Sequence, residues 1–304
     1  ANFEIFKNLQ NAKTYIYNQK TPLVVKADGL AAGKGAVVCH SHKEAQIALE
    51  EMMIKRIFGE AGKQVIIEEC LVGQEVSVLV FSDGDHVVPL IPAQDHKAVY
   101  DDDLGPNTGG MGSYAPVPFV DQPMQDRIYE EILAPTVKGL KEDGIKYKGI
   151  LYAGLMISAD GPKVIEFNAR FGDPETQSIL PLLDFDLFNI LMAVADESLA
   201  AQPLRIKNKF STCVVMASGG YPGHYEKSKV IEGLDTDFGD DVVIFHAGTK
   251  LKDGQIVTNG GRVLGITACG DDLKQSIDSA YKAVKQIHFE GAFYRKDIGR
   301  KGLK

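Results

Sequence analysis

Cysteine is scarce, with four in 304 residues, at positions 39, 70, 213 and 269. No two of them form a Cys-x-x-Cys pair, so the spacing supplies neither a zinc site nor a disulfide framework. Thiols set mostly inside apolar runs point to buried, reduced cysteines in a cytosolic protein. Long apolar runs are also missing. The longest, near 149–157, is too short to span a bilayer, and nothing at the start resembles a signal peptide. A cytoplasmic protein with no membrane partner is the expectation. Excess positive charge is lacking too: 33 Lys and Arg against 41 Asp and Glu give a net charge of −8. The chain as a whole is therefore no electrostatic match for nucleic acid or an anionic membrane. No internal repeat or low-complexity tract is present. The chain begins with Ala1 and runs straight into a helix-like pattern (Phe3, Phe6, Leu9), so it is expected to be part of a longer polypeptide.

What is present is the composition of an ordinary globular protein, 44% hydrophobic and 24% charged. At roughly 150 residues per domain, two domains are expected. A helix pattern over 2–18 leads through Pro22 into a strand at 23–26, then into Ala27-Asp28-Gly29-Leu30-Ala31-Ala32-Gly33-Lys34-Gly35 and a second strand at 36–39. A loop bearing glycine and lysine lets backbone N–H groups approach phosphate oxygens. It is not a Walker loop, because Lys34 is followed by Gly35 and a strand rather than by Ser or Thr opening a helix. The glycines alone fit a plain hairpin equally well; Lys26 and Lys34 favour phosphate. Ser41 with Glu44 reads as the capping box of a helix over 41–54, with Ala45, Ala48, Leu49, Met52 and Met53 on one face. Strands follow at 64–69, 75–81 and 86–91. In the link 70–74 an adenine could pair with backbone groups while Glu75 takes ribose hydroxyls, although a Glu opening a strand is usually just solvated.

Residues 93–113 carry little regular pattern but many functional groups: Asp95-His96-Lys97, the acidic patch 101–103, and Asn107-Thr108-Gly109-Gly110-Met111-Gly112. Long ordered loops of this kind are often binding loops. His96 has no identifiable partner and receives no catalytic role. A helix over 122–142 turns Met124, Ile128, Ile132 and Leu140 to the core, with Pro135 as a kink. Another, over 184–199, has Phe188, Leu191, Met192 and Ala195 on one side. Beyond a boundary near 203–209 come strands at 211–217, 242–246, 255–258 and 263–268, a Lys252-Asp253-Gly254 turn, and a last helix over 271–287. This reads as a smaller β-rich module.

The stretch 163–177 organises the rest. Val164, Ile165 and Phe167 read as a strand after an Asp160-Gly161 turn. Residues two apart on a strand share a face, so Glu166, Asn168 and Arg170 should project together. Glu and Asn offer oxygen ligands to a hard cation, and Arg recognises carboxylate or phosphate. Asp173 and Glu175 add carboxylates in the turn that follows. The alternative is a solvated strand face; the unpartnered polar set beside an apolar run favours a metal and phosphate site.

Together these motifs resemble the ATP-grasp ligases, most closely the phosphoribosylamine–glycine ligases of purine biosynthesis. The likeness is carried by VVKADGLAAGKG from Val24, EECLVGQEVSV from Glu68, PAQDHK from Pro92 and GPNTGGMGSYAP from Gly105. It continues in GLMI with VIEFNARFGDPETQ from Gly154, GGYPG from Gly219 and GGRVLG from Gly260. The resemblance implies an α+β chain of two lobes gripping ATP, with an ATP-grasp domain over 1–205 (about 20–82 the small lobe, 83–205 the catalytic lobe) and a carboxy-terminal module over 206–304. It implies that Lys26 and the loop Gly33, Lys34, Gly35 meet phosphates. Glu68, Glu69 and the backbone of Cys70 and Leu71 would meet adenine, and Glu75 ribose. Glu166 and Asn168 would hold Mg²⁺ or Mn²⁺. No second acidic ligand is evident on the preceding strand, 151–157, so phosphates would complete the coordination. Lys26 and Arg170 would act in catalysis. Asp95, Lys97, Asn107, Thr108, Gly109, Gly110, Arg170, Asp173 and Glu175 would bind glycine and 5-phosphoribosylamine. Members of the family begin with a further nucleotide-fold domain carrying a Gly-Gly-Arg-Glu-type motif, which this stretch does not contain; such a domain of the same polypeptide is the expected partner. The competing readings are another purine-pathway ATP-grasp ligase or carboxylase, and a non-catalytic ATP-binding fragment.

Overall fold

The computed structural model describes residues 1–29, 31, 35–202 and 204–303. The expected phosphate-loop residues Gly33 and Lys34 lie outside the described residues. The chain divides into two compact units, Ala1–Gln74 with Met156–Lys163, and Glu75–Leu155 with Val164–Lys304.

The first unit is a four-stranded antiparallel sheet backed by two helices. Its elements are β1 (Phe3–Phe6), α1 (Leu9–Tyr17), β2 (Leu23–Ala27), β3 (Ala36–Cys39), α2 (His42–Leu49) and β4 (Val65–Glu69), with strand order β1-β4-β2-β3. Period-2 alternation sets which residues face the helices: Leu23, Val25, Val65 and Ile67 are buried against Ala12, Ile16, Ala45, Ala48, Leu49 and Met52. The predicted capping box closes α2. Glu44 N donates to Ser41 Oγ at 3.2 Å while His40 N donates to Glu44 Oε2 at 3.0 Å. The start of the chain differs from expectation. Phe3–Phe6 is a strand, not a helical turn, and pairs along β4 from Phe3↔Glu68 to Phe6↔Val65. The alternation Phe3, Ile5 fits a strand as well as the spacing of three fits a helix. The open edge of β4 decides between them, and Asn8 then caps α1 by accepting from Asn11 N at 3.1 Å.

The second unit begins with β5 (Gln74–Ser82) and β6 (Val87–Pro89). The short strands β7 (Gln94–Asp95), β8 (Ala98–Tyr100), β9 (Leu104–Asn107) and β10 (Gly112–Ala115) follow. The span 93–113 is thus not one long loop: four short paired strands alternate with the link 96–97, the turn Asp101–Asp103 and the glycine loop 108–111. It continues with α3 (Gln122–Ile128), a π-helical turn at Tyr129–Leu133, α4 (Ala134–Glu142) and the hairpin of β11 (Gly149–Ser158) and β12 (Gly161–Asn168), whose tip groups with the first unit. After α5 (Glu175–Ile179) and α6 (Leu187–Ala195) come β13 (Phe210–Ala217), β14 (Val242–His246), β15 (Thr249–Lys252), β16 (Gln255–Thr258), β17 (Arg262–Gly270) and α7 (Leu273–Val284). The expected boundary near 203–209 runs through this unit. β13 pairs with β10 from Gly112↔Val214 to Ala115↔Ser211, giving one sheet of order β14-β17-β13-β10-β7. Val214, Met216, Leu264, Ile266 and Ala268 of this sheet pack with Ala280, Ala283, Val284 and Ile287 around α7.

The stripe Phe188, Leu191, Met192, Ala195 does lie on one side of α6, but on the outside. Phe188 is 67% exposed, while Ile190, Ala193 and Val194 form the buried face. Among the described residues no helix is long and apolar enough to cross a membrane.

Candidate functional site

In the first unit, Lys26 and Glu68 stand on the sheet face opposite the helices. Val24 pairs with Glu68 and Lys26 with Ile66, so the two charged residues are diagonal neighbours on one face. Their side chains meet at 2.6 Å, Lys26 Nζ to Glu68 Oε2, and are only 19% and 15% exposed. Around them on the same face are Val24, Ile66, Phe3 and Ile5, the last two exposed. An apolar face with one cation and one carboxylate offers stacking area together with hydrogen bonding, as an aromatic base with a charged tail requires. Glu69 points to the opposite side. It accepts from Asn2 N at 2.9 Å and pairs with Lys163 at 3.0 Å, which holds its carboxyl below the usual range. Those contacts make Glu69 a structural tie between β1, β4 and the β11–β12 tip. Cys70 and Leu71 follow, half-buried; Gly35 is half-buried at the start of β3.

In the second unit, Glu75 is exposed and its carbonyl accepts from Gln94 Nε2 at 2.7 Å. Glu166 and Asn168 lie together as the period-2 argument requires, with Asn168 Nδ2 donating to Glu166 Oε1 at 3.0 Å. Two oxygen-bearing side chains in contact on an accessible strand face fit a hard divalent ion that takes its remaining ligands from phosphate. Among the described residues, no group of three or more His, Cys, Asp and Glu side chains is disposed to hold a metal. Arg170 departs from the expected shared face. β12 ends at Asn168, and the exposed Arg170 guanidinium donates to the Phe171 carbonyl at 2.9 Å.

Three of the nine expected substrate residues, Asp95, Lys97 and Glu175, converge in one knot whose carboxylates are buried. Asp95, at the end of β7, and Glu175, opening α5, are both buried. Lys97 forms an ion pair with Asp95 Oδ2 and lies 3.9 Å from Glu175 Oε1. Glu175 Oε1 also accepts from Ser77 Oγ at 3.0 Å and from the Tyr152 hydroxyl at 2.8 Å. Burial pushes the Asp95 carboxyl up to about 7, with Lys97 opposing and Glu175 adding to the rise. Burial disfavours the Lys97 ammonium, but the Asp95, Tyr152 and Glu175 groups outweigh it and keep the lysine charged. His96 is buried beside them, its Nδ1 3.2 Å from the Gly112 carbonyl, and is driven down to about 4 by burial and by the Arg295 and Lys301 charges. It is a neutral structural histidine at pH 7.

The glycine loop is fastened over this knot. Thr108 N donates to the Lys97 carbonyl at 2.7 Å, and Gly110 N to Thr108 Oγ1 at 2.9 Å. Gly110 has φ +120°, and a Cβ there would run into Pro174 and the Asp95 carboxylate, so only glycine fits. Asn107 is exposed at the end of β9. Arg262, at the start of β17, reaches both motifs. Its Nη1 donates to the carbonyls of Gly109 (3.0 Å) and Asp173 (2.8 Å), and its Nη2 to Asp173 Oδ2 at 3.1 Å. Gly109 N donates to the Tyr221 hydroxyl at 3.2 Å. Ser77, Tyr152, Tyr221 and Arg262 escape sequence reasoning. The last two lie within the GGYPG and GGRVLG stretches, which mark them only by association.

The model of the phosphoribosylglycinamide synthetase ATP-grasp (A) domain matches residues 1–176, and that of the C domain of the same family matches residues 211–301. The chain belongs to the phosphoribosylglycinamide synthetase family. Phosphoribosylamine–glycine ligase of Caldanaerobacter subterraneus subsp. tengcongensis is 49% identical over 296 residues, covering 97% of this chain and 70% of that protein. A bifunctional purine biosynthetic protein of Schizosaccharomyces pombe is 47% identical over 303 residues, all of this chain but 38% of the yeast protein. The crystal structure of the Thermotoga maritima phosphoribosylamine–glycine ligase superposes with a TM-score of 0.89 at 35% identity, over 98% of this chain and 74% of that one. This family member therefore has the ATP-grasp fold, and it spans from about two fifths to about seven tenths of these relatives.

Proposed function

We propose that this chain joins glycine to 5-phosphoribosylamine at the expense of ATP, giving glycinamide ribonucleotide, ADP and phosphate, as a cytoplasmic enzyme of purine synthesis. The observation that carries the reading is the 49% identity to a phosphoribosylamine–glycine ligase over 296 residues, a span that includes both units and every residue of the buried knot. In this reading a glycine carboxylate oxygen attacks the γ-phosphorus of ATP and ADP leaves. The amine of phosphoribosylamine then attacks the acyl carbon, loses a proton and expels phosphate. No covalent enzyme nucleophile is needed; positioning and charge neutralisation suffice.

Lys26 neutralises phosphate charge, Glu68 with the Cys70–Leu71 backbone takes the adenine, and Glu75 the ribose. Gly33, Lys34 and Gly35 belong to the same phosphate-binding role. Glu166 and Asn168 hold Mg²⁺ or Mn²⁺, which when bound supplies positive charge to the phosphate oxygens. Arg170 stabilises the transferring phosphoryl group or the glycine carboxylate. Lys97, the accessible head of the knot, recognises an anionic substrate group, with Asp95 and Glu175 fixing its position. Asn107 to Gly110 and Asp173 border the same substrates.

The test is ADP release with Mg²⁺, ATP, glycine and freshly made phosphoribosylamine, omitting each in turn. Release that needs both glycine and the amine supports the ligase. Release that follows bicarbonate would instead indicate a carboxylase, and ATP binding without release a non-catalytic fragment. Glu166→Gln is expected to lower turnover on the order of 10²-fold with the fold intact; ADP release equal to that of the unmodified chain would sink the metal assignment.

A further inference from the structure

Among the described residues, Arg295 is the largest fully buried side chain, and the reaction scheme leaves it unused. Its guanidinium grips Asp297 with two hydrogen bonds of 2.8 Å, from Nε to Oδ1 and from Nη2 to Oδ2. The remaining arm, Nη1, donates to the carbonyl of Ala98 and to Asp103 Oδ1, both at 3.0 Å. Ala98 follows Lys97 directly. Asp102 and Asp103 form the turn between β8 and β9 in the left-handed region, with φ of 57° and 56°, a costly conformation for residues with a side chain. The turn is tied down from the same segment: Asp102 N donates to Asp297 Oδ2 (2.9 Å), Lys296 N to Asp101 Oδ1 (2.7 Å), and Lys301 pairs with Asp103 (2.6 Å). The β8–β9 hairpin, with Ala98 opposite Asn107, is thereby held at its closed end and at its base. Its open end carries Lys97 on one side and Thr108 on the other.

We propose that Arg295 is a positioning residue for the acceptor-substrate site: from the carboxy-terminal module it clamps the backbone immediately behind Lys97 and so fixes where the Lys97 ammonium meets substrate. Burying a guanidinium between two carboxylates gains little stability over an apolar packing of the same volume. What the forked geometry adds is direction, because one planar group with donors at fixed angles sets the Ala98 carbonyl, the 101–103 turn and the 295–297 segment relative to each other. The role in substrate binding rests on the ligase reading above; the clamp itself does not.

The test compares the chain with Arg295→Lys, which keeps the charge and loses the fork, and with Asp103→Asn, which loosens one arm at an accessible turn. For Arg295→Lys, KM for glycine or for phosphoribosylamine is expected to rise about tenfold or more, with KM for ATP within about twofold, as misplacement of a positioned group predicts. Unchanged KM values for all three substrates, with only kcat or the folded fraction reduced, would overturn the proposal and leave Arg295 as packing. Should Arg295→Lys fail to fold, Asp103→Asn carries the same kinetic split at about threefold. Amide exchange read on Asp103→Asn needs no turnover. Residues 98–110 should exchange about tenfold faster while β13 and β17 keep their protection; equal protection along 98–110 would overturn the clamp. Absence of glycine-dependent ADP release in the unmodified chain would defeat the ligase reading alone, and the exchange measurement would still decide the clamp.

Discussion

The two charged centres of this protein are built on opposite plans. In the first unit, Lys26 and Glu68 stand side by side on one sheet face, each held by its strand and meeting across a diagonal at 2.6 Å. In the second, Asp95 at the end of β7 and Lys97 just after it meet Glu175 at the start of α5 and are sealed by Ser77 and Tyr152, with both carboxylates buried. The first centre is local: its geometry follows from strand period and register, and losing one member leaves the sheet intact. The second is held together by tertiary contacts, and its two buried carboxylates depend on the partly accessible Lys97. The lesson is that similar ion pairs can be independent or interdependent according to whether water can replace a missing partner.

The largest break in that comparison is Lys97→Met. It leaves Asp95 and Glu175 without a cation in a buried site, and should cost about 3–5 kcal/mol of stability as well as glycine-dependent turnover. Denaturant unfolding together with ADP release checks it. A variant that loses turnover but keeps full stability would show that water enters the knot and that the carboxylates are not sealed.

The next largest effect is on pH. The folded-state value of Asp95, about 7, lies above its ordinary 3.8, so between those limits the folded chain binds a proton that the unfolded chain does not. From this group alone, stability falls as pH rises across that window. Turnover has the opposite sign: the ion pair with Lys97 needs the ionised carboxylate, so kcat/KM should drop as pH falls through about 7. Asp95→Asn should abolish that acidic limb, and a limb that persists in the variant assigns it elsewhere.

On the other side of the comparison, Lys26→Met removes a partly accessible partner from Glu68. The stability change should stay within about 1 kcal/mol, since water can take the place of the lost charge, whereas KM for ATP should rise about tenfold or more through the lost phosphate contact. Isothermal binding of ATP and thermal unfolding separate the two effects. A large loss of stability with unchanged ATP affinity would make Lys26–Glu68 a structural pair and erase the contrast.

The same division explains what could be read from sequence. The first unit was largely legible because its signals are local: the Ser41–Glu44 capping box and the short apolar runs read as strands at 23–26 and 64–69; in the second unit the contact of Glu166 with Asn168, two residues on, was legible for the same reason. The exception, β1, lies where a four-residue segment suits helix and strand alike and the free edge of β4, some sixty residues away, decides. In the second unit, Asp95, Lys97 and Glu175 stood out as polar groups in the sequence, but a substrate role for them came only from family resemblance. No periodicity predicts that Ser77 and Tyr152 will meet Glu175, or that Arg262 will reach back to Gly109 and Asp173. The short strands of 93–113 were unreadable for the same reason, since β10 is a strand largely because β13 lies beside it.

Helix α6 gives the smallest and most local test of that limit. Spacing correctly puts Phe188, Leu191, Met192 and Ala195 on one side, but periodicity reports a stripe without saying which way it faces. Here the weaker-looking side is the buried one: Ile190 and Val194 pack with Ile179, Leu182 and Leu199, and the aromatic is outside. Ile190→Ala should therefore cost about 2–5 kcal/mol through lost contacts and a cavity. Phe188→Gln should change stability by no more than about 0.5 kcal/mol, because its ring already lies in water. Reversed values would mean that the helix is turned the way its hydrophobicity alone suggests, and that burial in the second unit follows local pattern after all.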